Sequence, residues 1–227
     1  MLIYRCLPND PASIATLIGL HGRGADLDQL GPLCGEAAPS FELVTPQAAR
    51  PINAVLDGYP LQEEGFTWYW GEEVCRPEPA TFGESLWQLE QFVCDVRDRH
   101  NVKRSIFLVG HDQGAVLAAT TVGIMPELLT GVVVICGCLP EIRGWSLPVE
   151  NAEGLPVLLM HDPEDTQIPL ALVQRTAKEF ARRNAQVELR QLLGIRRDPL
   201  IAANVLKQWL VMHLLGNSSA EKAYPSG

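Results

Sequence analysis

Residues 106–109, Ile-Phe-Leu-Val, form an unbroken apolar run that passes into Gly110-His111-Asp112-Gln113-Gly114 and then into AVLAATTVGI. A short apolar run with β-branched and aromatic members fits a strand buried on both faces of a parallel sheet. The small and apolar residues after Gly114 read as a helix that lies close against that strand. Gly110 and Gly114 bracket the corner between them. A sharp turn and a close helix both exclude a Cβ, which is why glycine serves at such positions. The residue at the apex, Asp112, is thereby pushed out at the rim of the sheet. A strand, tight corner and helix of this kind demand a parallel sheet covered on both sides.

The rest of the chain supplies the other strands and helices. Residues 2–6 fit a short edge strand. Thr16–His21 is a buried strand that runs into the glycine-rich turn Gly22–Asp26, followed by a helix to about Ala38. Phe41–Thr45 is the next strand, closed by Pro46. Residues 46–80 hold many Pro and Gly without a period, and they contain Phe66-Thr67-Trp68-Tyr69-Trp70. A connection of that length in a compact domain usually serves a site. Residues 81–99 form an amphipathic helix with Leu86, Leu89, Val93 and Val96 on one face. Gly131–Cys136, Pro156–Met160 and Gln186–Leu192 read as strands, and about 170–183 as a helix. Asp198 and Pro199 are the expected N-cap and first position of a final helix to about Leu215. The polar stretch 216–227 is expected to be disordered. This alternation predicts one α/β domain over residues 1–215, with a mostly parallel sheet and helices on both faces.

The chain has 227 residues, 47% of them apolar, and a net charge of −9. That charge argues against nucleic acid or an anionic membrane surface as partner. No run of 18 apolar residues suggests a membrane span. The opening MLIYRCLPND lacks the charged and apolar regions of a secretion signal, so a cytoplasmic location is expected. The six cysteines, Cys6, Cys34, Cys75, Cys94, Cys136 and Cys138, match no zinc spacing. Free buried thiols are expected, with Cys136 and Cys138 facing alike and with no metal or cofactor.

Several stretches, in order, resemble one family. LIGLHGRGAD resembles its Leu-His-Gly-x-Gly opening, and TWYW its Trp-Phe segment. GHDQGA resembles its Gly-x-Ser-Gln-Gly elbow, CGCLP its Ser-Gly-x-Leu-Pro stretch, and HDPEDTQIP its His-Gly-x-x-Asp-x-x-Val-Pro loop. The chain resembles the phospholipase/carboxylesterase group of α/β-hydrolases, which includes acyl-protein thioesterases and small bacterial carboxylesterases. The resemblance implies a single-domain α/β-hydrolase fold without a separate cap, and ester or thioester hydrolysis by Ser, His and Asp. It places Asp112 at the serine position and Asp165 at the acid position. The backbone N–H groups of Arg23 and Gln113 would be the oxyanion donors. Trp68 and Trp70 become candidate contacts for a small acyl ligand. Counting back from Trp209 puts the histidine position at Arg196, while counting from Gly194 allows Arg197.

Arginine stays protonated and cannot serve as a base at neutral pH. His21 and His161 fall at strand ends, His111 precedes the apex and should point away from Asp112, and His100 and His213 lie on helices. Three readings follow. A non-catalytic member that binds a ligand or partner is favoured by the loss of nucleophile and base together. The alternatives are an Asp112-nucleophile hydrolase of the dehalogenase or epoxide hydrolase type and a weak residual carboxylesterase. The altered positions are also complementary in charge, so Asp112, Arg196 or Arg197, and Asp165 are expected to form an ion triad. Oligomeric state is left open.

Overall fold

The computed structural model describes residues 2–7, 13–52, 65–99, 105–142, 144 and 151–220. His100 lies outside the described residues. In chain order the strands are β1 (Tyr4–Leu7), β2 (Ala15–Leu20), β3 (Glu42–Pro46), β4 (Arg50–Pro51), β5 (Phe66–Thr67), β6 (Gly71–Glu73), β7 (Arg76–Pro77), β8 (Ser105–His111), β9 (Gly131–Ile135), β10 (Pro156–His161) and β11 (Gln186–Gln191). The helices are α1 (Gly31–Ala37), α2 (Pro79–Arg99), α3 (Gln113–Thr121), α4 (Leu170–Arg182) and α5 (Ala203–Ala220).

A seven-stranded sheet runs in the order β1-β3-β2-β8-β9-β10-β11. Every neighbouring pair is parallel except β1 with β3 at one edge. Strand side chains alternate between two cores, as the two-residue period of a strand requires. Ile18, Leu108, Val132, Val134, Val157 and Leu159 join α2, α3 and α4 on one face. Leu17, Phe107, Val109, Val133, Ile135 and Leu158 join α1 and α5 on the other. Both faces of each central strand are thus apolar, which explains the unbroken apolar runs in the sequence. The fold is a single α/β-hydrolase-like domain, and no helix among the described residues is long and apolar enough to cross a membrane.

The corner after β8 shows why its glycines are needed. A Cβ at Gly110 would fall 2.2 Å from the Gly114 carbonyl oxygen, and one at Gly114 would fall 2.3 Å from that of Leu20. Asp112 takes φ 52° and ψ −115°, a left-handed conformation that a non-glycine residue adopts only under constraint.

Some expectations are corrected. The helix after the Gly22–Asp26 turn begins only at Gly31. Asp198 caps a 3-10 turn, Pro199–Ala202, by accepting from Leu200 N–H at 3.0 Å. The following helix, α5, runs to Ala220, into the stretch expected to be disordered; residues 221–227 lie outside the described residues. Cys136 and Cys138 do not face alike. Cys136 has φ 50°, which breaks the strand alternation, so the two side chains enter opposite cores. Nor are all thiols free, since Cys75 and Cys138 are joined in a disulfide across a sequence separation of 63. That bond ties the β6–β7 hairpin to the segment after β9, reinforced by the Glu141 N–H bonding the Cys75 carbonyl at 2.8 Å.

Candidate functional site

The ends of the parallel strands deliver the site. Asp112 stands between β8 and α3. Its Oδ1 accepts a hydrogen bond from Arg196 Nη2 at 2.6 Å. Its Oδ2 accepts from the Arg23 backbone N–H at 3.1 Å, in the turn after β2. The other arm of the same guanidinium, Nη1, donates to Asp165 Oδ2 at 2.8 Å. Arg196 also bonds the Gln167 side-chain carbonyl. Asp165 is held in turn by the N–H groups of Gln167 and Ile168, at 2.9 and 3.0 Å on its Oδ1. One guanidinium fork therefore serves two carboxylates, as the planar arrangement of its donors allows. Arg197, the neighbouring candidate, is exposed.

The three charged side chains are largely out of water, with relative exposures of 10% for Asp112, 17% for Arg196 and 0% for Asp165. Burial lowers the Arg196 pKa, but the Asp112 and Asp165 carboxylates outweigh it and hold the group above its ordinary value. Arg196 is thus fixed as a cation and cannot take a proton. The backbone of Arg196 is held as well, its N–H donating to Asp162 Oδ2 at 3.2 Å.

His21 and His213 are engaged away from the cluster, whereas His111 and His161 lie near enough to feel the charge of Asp165. His21 donates from Nδ1 to the Gly22 carbonyl at 2.7 Å and accepts at Nε2 from Ala48 N–H at 3.0 Å. Those bonds require the neutral ring, and burial pushes its pKa down to about 4. Burial likewise lowers His111, His161 and His213. His213 packs against Trp209 with ring centroids 4.7 Å apart. Among the described residues, no histidine hydrogen-bonds Asp112 or Asp165.

The aromatic segment divides between core and rim. Trp68 has no exposed surface; its indole N–H donates to the His21 carbonyl at 2.8 Å. It is a core residue, not the ligand contact expected of it. Trp70 is half-buried, with the Arg23 guanidinium 5.8 Å above its ring. The Gln113 side chain clamps this segment to the elbow. Its Oε1 accepts from Thr67 Oγ1 at 2.8 Å and from Trp68 N–H at 3.0 Å, and its Nε2 donates to the Tyr69 carbonyl at 2.9 Å.

The profile of the Phospholipase/Carboxylesterase family matches residues 7–197. The chain belongs to this family. Solved structures show the same fold. A carboxylesterase from Mesorhizobium loti is 23% identical, with TM-score 0.75 and 92% of this chain and 93% of that one covered. The Bacillus cereus carboxylesterase is 16% identical, also with TM-score 0.75, over 92% and 95% of the two chains. A phospholipase/carboxylesterase from Dyadobacter fermentans gives 17% identity and TM-score 0.67 over 90% and 95%. No curated protein sequence matches the chain.

This family member carries two site contacts that the sequence reading missed. Asp162 stands where the resembling His-Gly-x-x-Asp-x-x-Val-Pro loop has glycine, a signal in HDPEDTQIP that could have found it. Gln167 gave no signal, because only the fold brings its side chain to Arg196.

Proposed function

We propose that this family member does not hydrolyse esters by the Ser-His-Asp route and acts as a binding protein for a small acyl-type ligand or a partner at the old site. The observation that carries this reading is the Asp112–Arg196–Asp165 ion triad, with Asp112 Oδ2 on the Arg23 N–H. Acyl transfer needs a base to take a proton, and Arg196 cannot. It also needs donors waiting for the oxyanion. One expected donor, the Arg23 N–H, already holds the protein's own carboxylate. Both oxygens of Asp112 are engaged, which also weakens it as a nucleophile toward halides or epoxides. The half-buried Trp70 and Arg23 at the rim are the proposed ligand contacts.

The test is turnover of p-nitrophenyl butyrate and labelling by a fluorophosphonate probe. Neither is expected, and neither should appear in Asp112→Ser alone. Asp112→Ser with Arg196→His should gain measurable turnover. Wild-type turnover near 10 s⁻¹, the rate of a typical enzyme, would overturn the reading. A mass adduct on the Gly110–Gly114 peptide after incubation with an alkyl halide or epoxide would instead favour the aspartate-nucleophile alternative.

A further inference from the structure

Arginine is a long side chain that gives up much rotamer freedom when it is fixed. Its backbone must therefore be well placed if the guanidinium is to span two carboxylates. Arg196 sits in the turn after β11, and three ties shape that turn. Leu192 N–H bonds the His161 carbonyl at 2.9 Å. Ile195 is fully buried among the residues packed on α5. The third tie acts on Arg196 itself, through the Asp162 carboxylate, Oδ2 to the Arg196 N–H at 3.2 Å. The other oxygen of Asp162, Oδ1, accepts from Glu164 N–H at 3.1 Å, so the carboxylate is fixed within the acid loop while it grips the arginine turn.

Asp162 is 4% exposed. Burial pushes its carboxyl up, yet the amides of Glu164, Arg196 and Gly194 outweigh burial and leave it below the ordinary carboxylate value. A buried carboxylate is costly unless such donors satisfy it. A glycine here would have no acceptor to offer. The departures at positions 112, 162 and 196 thus meet in one bonded cluster.

We propose that Asp162 is a positioning residue of this site, anchoring the backbone of Arg196 so that its guanidinium reaches Asp112 and Asp165. The proposal rests on the ion-triad reading of the site. Its experiment is a cycle in urea unfolding, with Asp162→Ala made in the wild type and in Arg196→Ala. The N–H of residue 196 remains in both backgrounds. If Asp162 only braces the acid loop, the midpoint shifts will be equal, and that result overturns the proposal. If it positions the guanidinium, the shift in the wild type will be at least about twice that in Arg196→Ala. Arginine-selective ¹⁵N spectra give a second reading. The Arg196 Nη–H groups that bond Asp112 and Asp165 should exchange slowly in the wild type and lose that protection in Asp162→Ala; retained protection overturns the proposal. Should Asp162→Ala not fold, Asp162→Asn, which keeps one acceptor oxygen, carries both measurements with a smaller effect. An active esterase with this coupling intact would sink the functional reading alone, and an inert protein without coupling would sink this one alone.

Discussion

Removing Arg196 is the perturbation that bears most directly on the site. In Arg196→Ala the carboxylates of Asp112 and Asp165 lose the cation that joins them, at 2.6 and 2.8 Å. With charge centres about 4 Å apart and an effective dielectric of about 20, each contact is worth roughly 4 kcal/mol before desolvation is charged against it. Breaking a buried pair costs about 3–5 kcal/mol, whereas an exposed pair is worth at most about 1. Side-chain exposures of 10%, 17% and 0% put this cluster with the buried class. Arg196→Ala should therefore cost about 3–5 kcal/mol, or roughly 6–20 °C in Tm for a chain of this size. Asp112→Ala should cost less, because Arg196 keeps Asp165 and Gln167. The decisive value is the double variant. Once Arg196 is gone, Asp112 is an uncompensated charge, and its removal should cost nothing or restore stability. Thermal melts of the wild type, both single variants and the double variant close the cycle. A coupling of roughly 2–4 kcal/mol is expected from the buried-pair range. Additivity within about 0.5 kcal/mol, as for independent sites, would refute the ion triad.

Asp112→Ala should also leave the Arg23 N–H and Arg196 facing a carboxylate-sized space. Acetate at tens of millimolar should then raise the Tm of this variant and not that of the wild type; equal effects on both would count against the idea that Asp112 fills an anion position. The pH dependence of stability carries a separate signature. His21 is held near 4 in the folded protein against an ordinary 6.5, so the unfolded chain binds the extra proton first. Its contribution is fully present above about 6.5 and is lost as pH falls toward 4, by roughly 3 kcal/mol for a shift of that size. Urea unfolding at intervals across that window should show stability falling with pH, with a shallower slope in His21→Gln. An unchanged slope would remove His21 as the cause.

The central strands are legible in the sequence because burial writes itself into composition. The runs at 106–109, 131–136 and 156–160 are apolar without alternation, and each is a strand with a core on both sides. Gly110 and Gly114 announced the corner because no other residue fits against Gly114 and Leu20 carbonyls. What the sequence left open depends on distance along the chain. The spacing allowed Arg196 or Arg197, and only the turn after β11, with Ile195 buried, decides which guanidinium turns inward. Trp68 and Trp70 looked equivalent in TWYW. One is taken up by His21 and Gln113, and the other is left at the rim. The Cys75–Cys138 pair joins two irregular segments, where no periodicity exists to be read.

The charged cluster is assembled from the ends of four parallel strands, and its partners lie far apart in the chain: 84 residues separate Arg196 from Asp112, and 89 separate Asp112 from Arg23. Such contacts can close only after β2, β8, β10 and β11 have found their places, and they are expected to form late in folding. An interaction absent from the folding transition state leaves the folding rate alone and slows unfolding. The triad would then act as a clasp on the finished domain. Its strength sets how long the native state lasts once formed, and it has little part in how quickly that state is reached.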